Sequence, residues 1–188
     1  MPPKVRISKE DIVTAAVALV RKDGVQAINA RNIASALNCS TQPVFSNFAT
    51  MDDLRNAVVE AADALYREYM QRETESGAYP PYKASGMAYI RFAKEEKELF
   101  KLLYMRDRSA ENIPEQTDTG DQMEAMVRGN TGLDGSDAKL FHLEMWAYVH
   151  GIAAMFTTGY LDLDWDLVSK MLTDAYQGLR KQYGMERS

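Results

Sequence analysis

Ala30-Arg31-Asn32-Ile33-Ala34-Ser35-Ala36-Leu37-Asn38-Cys39-Ser40-Thr41-Gln42-Pro43-Val44-Phe45-Ser46-Asn47-Phe48 decides how this chain is read. Asn29 stands just before it and is a good N-cap for a short helix that turns Ile33, Ala34 and Leu37 inward. Asn38-Cys39-Ser40 then reads as a tight turn, because asparagine tolerates the left-handed conformation that often ends a helix. Ser40 or Thr41 caps a third short helix that runs through Val44, Phe45 and Phe48. Pro43 fits its first turn, where a missing N–H has no intrahelical partner to lose. It also biases Gln42 away from helical angles, so the helix start is open by a residue or two.

Working outward, Ser8 and Asp11 form a capping box for a first helix whose Ile12, Ala15, Ala16, Leu19 and Val20 share a face. Gly24 stops it. Thr50 and Asp53 form a second box, opening a long helix with Leu54, Val58, Ala61, Leu65 and Tyr69 on one side and an end near Gly77. Helices are expected over about 82–94 and 95–105, then a polar stretch from Arg106 to Gly120, then a helix near 121–129. Gly132 and Gly135 mark a break before an apolar helix over about 136–160, and Asp162 to Asp164 turn into the last helix. No strand pattern interrupts this. The fold class is all-α with about nine helices, divided into residues 1–50 and 51–188.

Composition narrows the function. The chain has 188 residues, 46% hydrophobic and 26% charged, which suits one globular domain or two small ones. One cysteine, Cys39, excludes a disulfide scaffold and a cysteine-based zinc finger. His142 and His150, without nearby thiols or carboxylates, make a poor metal site, so no metal is expected. There is no glycine-rich phosphate loop, nucleophile elbow or HExxH motif, so neither catalysis nor a cofactor is expected. The apolar run Leu140 to Leu161 carries His142, Glu144, His150, Thr157 and Thr158 between acidic flanks, which argues for a buried helix and against a membrane span. No apolar h-region follows Met1-Pro2-Pro3-Lys4-Val5-Arg6, so a cytoplasmic protein is expected.

The charge is uneven. Through residue 50 there are six basic residues (Lys4, Arg6, Lys9, Arg21, Lys22, Arg31) against three acidic ones, a net +3, while the remainder carries −8. Such a leading segment attracts a polyanion at one end of an acidic body. The three short helices, the last two joined by a tight turn, fit a helix-turn-helix, whose second helix lies in the DNA major groove. Ala34 lets the helices approach, and Ile33, Leu37, Val44 and Phe48 fill the small core. Thr41, Gln42, Ser46 and Asn47 face outward as short hydrogen-bonders for base edges or phosphates. Lys4 and Arg6 precede the first cap as an arm for phosphate or the minor groove.

These residues resemble the TetR family of transcriptional regulators from Ile12 to Leu54. The resemblance rests on Ile12-Val13-Thr14-Ala15-Ala16, Lys22-Asp23-Gly24, Arg31-Asn32-Ile33-Ala34, Asn38-Cys39-Ser40, Val44-Phe45-Ser46-Asn47-Phe48 and Asp52-Asp53-Leu54. It implies a homodimer that binds a palindromic double-stranded DNA operator, usually as a repressor, and is released by a small ligand. It also implies DNA contacts by Pro43 and Phe45 beside the residues above. Phe45 stands where tyrosine is common and Met51 where lysine is common, each removing a phosphate contact. Weaker grip on the backbone is expected, or compensation from Thr50, Arg31, Lys4 and Arg6. A helical small-molecule binder or adaptor that no longer reads DNA is the other reading of these two changes.

In the second half, Trp146-Ala147-Tyr148-Val149-His150-Gly151 resembles the Trp…His-Gly signature of one subclass of TetR C-terminal domains, and Phe92 to Phe100 loosely fits the same subclass. Trp165, Val168, Leu172, Ala175 and Leu179 repeat at spacings of three and four, the seam of a packed helix pair. With the apolar helix before it, this seam predicts a homodimer through the last two helices. A pocket for an apolar or amphipathic ligand is expected among Tyr66, Tyr89, Phe92, Leu103, Met123, Met126, Phe141, Trp146 and His150, residue types that suit an adaptable site and equally suit plain core.

Overall fold

The computed structural model describes residues 7–107 and 118–185, with side chains in the 118–131 helix described from Gln122 onward. The described residues form nine α-helices and one 3-10 turn. They are α1 (Lys9–Asp23), the turn Val25–Ala27, α2 (Ala30–Ala36), α3 (Gln42–Asn47), α4 (Met51–Glu75), α5 (Pro81–Glu95), α6 (Lys97–Tyr104), α7 (Asp118–Thr131), α8 (Gly135–Thr158) and α9 (Trp165–Gln182). Lys4 and Arg6 lie outside the described residues, as does most of the polar stretch after Arg106. That stretch is shorter than expected, since α7 already begins at Asp118.

The helix ends follow from local chemistry. Ser8 accepts from the Asp11 N–H at 3.0 Å while the Asp11 carboxylate accepts from the Ser8 N–H at 2.8 Å, a complete capping box. Those bonds hold the Asp11 carboxyl below the usual carboxylate range. Thr50 and Asp53 repeat the arrangement at the start of α4. Gly24 ends α1 at φ +80, and a Cβ there would stand 2.8 Å from the Gln26 side chain, so any other residue is both strained and crowded.

Two compact units result. Of the described residues, the first gathers those up to Arg67 with Glu96–Arg106, and the second Glu68–Glu95 with those from Asp107 onward. Packing thus does not divide at 50/51: most of α4 and all of α6 belong with α1–α3.

The core of the first unit contains Ile12, Ala16, Val20, Ile33, Val44, Leu54, Val58, Leu99 and Phe100, each at most 1% exposed. Arg21 joins α1 to the residue before α6, donating from Nε and a terminal nitrogen to both carboxylate oxygens of Glu96 at 2.8 and 2.7 Å. The buried face of α4 is Leu54, Val58, Ala62, Tyr66 and Tyr69, not the Ala61 and Leu65 face expected, and both of those are half-buried. A wide apolar stripe on a long helix leaves its centre ambiguous by one position.

In the second unit α5 and α8 form the most extensive pair. Gly86 on α5 permits their closeness, since a Cβ would meet Val149 of α8 at 3.4 Å and Leu172 of α9 at 3.3 Å. The polar residues that marked α8 as a buried helix all find partners. His142 and His150 bond through Nδ1 to the Tyr82 and Tyr89 hydroxyls at 3.0 and 2.9 Å. Thr157 donates to the Ala153 carbonyl at 2.9 Å, and Glu144 accepts from the Tyr183 hydroxyl at 3.3 Å. Burial lowers the basicity of both histidines.

Candidate nucleic-acid interface

Three local devices set α3. Asn29 has extended backbone and its side chain accepts from the Asn32 N–H at 2.9 Å, starting α2. Asn38 then takes φ +50, and the Cys39 N–H reaches back to the Ala34 carbonyl at 2.9 Å, the bond of a left-handed helix end. Thr41 opens α3 with its hydroxyl unbonded to the helix, and Pro43 sits in the first turn. Val44 and Phe48 are 1% and 4% exposed and anchor the helix to its core.

The remaining side chains of α3 fall into two groups. Gln42, Phe45 and Ser46 are exposed, while Pro43 and Asn47, like the cap residue Thr41, are half-buried. Ser46 Oγ donates to the Gln42 carbonyl at 2.9 Å, and Asn47 Nδ2 donates to the Pro43 carbonyl at 2.8 Å. Both are expected as hydrogen-bonders toward DNA; the Ser46 hydroxyl hydrogen and one Asn47 amide hydrogen are committed to their own helix, while the second Asn47 N–H and the acceptor lone pairs remain. Among the described residues the Gln42 side chain makes no hydrogen bond and retains its full donor–acceptor amide. Phe45 is 58% exposed.

Around α3 the charges also sort themselves. Arg31 and Lys22 are exposed and make no ion pair among the described residues, whereas Arg21 is neutralised by Glu96. Lys9 lies over the Phe48 ring at 5.0 Å, beside the end of α3. It was not singled out from sequence, although it is counted in the basic leading segment and its position opposite Phe48 is a tertiary fact. Lys9, Asn47, Phe48, Ala49, Asp53, Asn56, Ala57 and Glu60 line an open cleft of about 340 Å³. The Thr50 hydroxyl donates to Asp53 at 2.9 Å and accepts from the Asp53 N–H, so it is occupied by capping.

The nine residues expected to line a ligand pocket fall in both compact units. Tyr66 and Leu103 lie in the first unit, where both are buried and Tyr66 meets Tyr104 edge-on at 5.8 Å. Burial raises the pKa of the Tyr66 phenol. In the second unit Phe92 is fully buried against Tyr69, and Phe141 is fully buried against Tyr176 and Tyr183. Met123 is buried and Met126 half-buried. Tyr89, His150 and Trp146 do form a group: the Trp146 ring, 41% exposed, stacks on His150 at 5.0 Å.

The seam of α9 packs in part within this same chain, and Trp165, Ala175 and Leu179 stay half-buried. Val168 and Leu172 are 0% and 3% exposed, and Ala175 and Leu179 pack on the cluster of Val127, Ala138, Phe141 and Met145. Trp165 stacks on Phe156 at 5.8 Å under the Arg91 guanidinium, 4.5 Å from its ring. What stays uncovered on α8 is Leu140, Leu143, Trp146 and Tyr148, with Leu143 57% exposed.

Residues 82–176, half of the chain, match the family model described as tetracyclin repressor-like, C-terminal domain. An uncharacterised HTH-type transcriptional regulator of Mycobacterium tuberculosis is 25% identical, the match covering 97% of this chain and 83% of that protein. Among solved structures, a protein of unknown function from Rhodococcus sp. RHA1 superimposes with a TM-score of 0.72 at 22% identity, over 97% of this chain and 98% of that one. A TetR-like transcriptional regulator from the same organism gives 0.67 at 16% identity, over 95% and 98%. A TetR-family member from Streptomyces coelicolor gives 0.65 at 15%, over 89% and 96%. No helix among the described residues is long and apolar enough to cross a membrane.

Proposed function

The chain belongs to the TetR family of transcriptional regulators, and from that premise we propose that it is a dimeric repressor of the cytoplasm. Residues 1–50 read DNA and residues 51–188 bind a ligand and a second copy. The observation that carries this reading is α3 itself, anchored by Val44 and Phe48 with Gln42 and Phe45 outward, and preceded by α2 with an exposed Arg31. Two such helices about 34 Å apart would enter successive major grooves of a palindromic operator. The apolar outer side of α8, with Leu140 and Leu143, supports a second copy as the partner. A small apolar or amphipathic ligand in the second half would release the DNA by binding the released state more tightly than the operator-competent one.

The test is a binding titration of the full chain on duplexes from its own promoter region. A preferred sequence is expected, with log affinity falling steeply against log salt. Gln42→Ala should blur base preference, by about ~1–3 kcal/mol at the contacted pair. Lys4→Ala should lower affinity evenly on all sequences and flatten the salt slope. Binding that never distinguishes one sequence from another would overturn the proposal and favour a ligand-binding adaptor, for which ligands raise the melting temperature and DNA does not.

A further inference from the structure

Phe45 is the one aromatic side chain among the described residues of the first unit that is more than half exposed. Leaving a phenyl ring in water on a six-residue helix forgoes burial that Val44 and Phe48, on the same helix, achieve almost completely. A phenyl ring has no hydrogen-bonding group and so cannot bond a phosphate oxygen. The Ser46 hydroxyl hydrogen and one of the two Asn47 amide hydrogens are turned back onto the carbonyls of Gln42 and Pro43. The outward groups with no bond to their own helix are therefore the Gln42 amide and the Phe45 ring, beside the half-buried Thr41 hydroxyl.

These two lie three residues apart, on one helix face. Three residues advance the helix by ~4.5 Å, close to one base step of ~3.4 Å. A glutamine amide pairs bidentately with adenine, and the apolar feature that unmodified DNA offers in its major groove is the thymine methyl. We infer that Phe45 is a specificity-determining residue that reads the 5-methyl group of a thymine, about one base step from the pair under Gln42. This rests on the DNA-binding reading above. It explains why a hydroxyl-free ring is useful at an exposed position: packing a methyl needs apolar surface, and a polar group there would be left without a partner.

The experiment separates this inference from the reading beneath it. The full chain selects a consensus duplex from a random-sequence pool, and that duplex is resynthesised with uracil replacing each thymine in turn, which removes only the methyl. Wild type should bind about fourfold more weakly when one particular thymine is changed, and about an order of magnitude more weakly when its palindromic mate is changed too. Phe45→Ala, at an exposed site that leaves the core intact, should bind the thymine duplex as weakly as wild type binds the uracil one, and should no longer distinguish the two. If wild type prefers the consensus over random DNA yet ignores every uracil, Phe45 reads no methyl and the inference falls alone. If the uracil penalty persists in Phe45→Ala, another residue reads the methyl and the inference again falls. If no consensus emerges, the DNA-binding reading fails and carries the inference down with it.

Discussion

α3 and α9 were both assigned one decisive face by the spacing of their apolar residues, and the two faces met different fates. On α3 the apolar pair Val44 and Phe48 turns in, and the face with Gln42 and Phe45 stays out. On α9 the face expected to meet a second chain is partly taken up inside this one, by the cluster around Phe141 and by Phe156, with Trp165, Ala175 and Leu179 left half-buried. The orientation of α3 is set by signals within a dozen residues: a cap, a left-handed asparagine and a proline. A repeat of threes and fours says only that a helix has a partner, and carries no mark of which chain supplies it.

The largest effect that tests this contrast is on stability. Phe141→Ala removes a fully buried ring from the α9 side of the core and should cost about 3–5 kcal/mol in urea unfolding. Phe45→Ala, on the outer face of α3, should change stability by no more than about 0.5 kcal/mol while weakening DNA binding. Comparable losses of stability from both would erase the distinction between an inward and an outward face.

Next comes the uncovered side of α8. Leu143→Glu places a charge where the side chain is 57% exposed, so the isolated fold should melt unchanged. If this face holds a second copy, self-association should weaken at least about tenfold, ~1.4 kcal/mol, because the carboxylate must lose water on assembly. Sedimentation at several concentrations reads this directly. An unaltered dimer would move the interface elsewhere and leave these leucines unexplained.

The turn ahead of α3 gives a smaller effect with a sharper signature. Asn38 sits at φ +50, so Asn38→Val should cost about 1–2 kcal/mol, whereas Asn38→Gly should be neutral or slightly stabilising. The valine variant should lose more DNA affinity than its fraction unfolded explains, since the turn aims α3. Equal behaviour of the two variants would mean that the turn does not depend on its left-handed residue.

Legibility in the sequence followed the range of the interaction. Caps at Ser8, Asn29 and Thr50 were readable because partner and target lie within three residues. The helix-turn-helix was readable for the same reason. The back-bonding of Ser46 and Asn47 was also local, since short polar side chains reach the carbonyl four residues earlier, but it competes with DNA for the same groups and sequence does not rank the two. The pocket candidates were legible only as residue types. Tyr66 and Leu103 look like Tyr89 and Phe92 in composition, and only packing assigns them to another unit. Lys9 over Phe48 joins residues far apart in sequence, which no periodicity encodes.

The smallest effect distinguishes the units by pH. Burial depresses His142 and His150 below their ordinary value of 6.5, although Glu124 near His142 works in the opposite direction. Each is therefore neutral in the fold over a range where the unfolded chain has taken a proton. Above about pH 6.5 neither state binds the proton and the stabilisation is complete; as pH falls below it, the unfolded chain gains protons first and stability declines until the folded histidines titrate too. Unfolding midpoints in urea should drop between about pH 7 and 5.5, and His142→Gln with His150→Gln should flatten that drop. The first unit contains no histidine, so a probe placed there, such as a dye on Cys39, should report less of the slope if the units unfold separately and all of it if they unfold together. The same titration thus measures whether the reading head and the helical body share one cooperative transition, which any release mechanism that passes a signal from ligand to α3 requires.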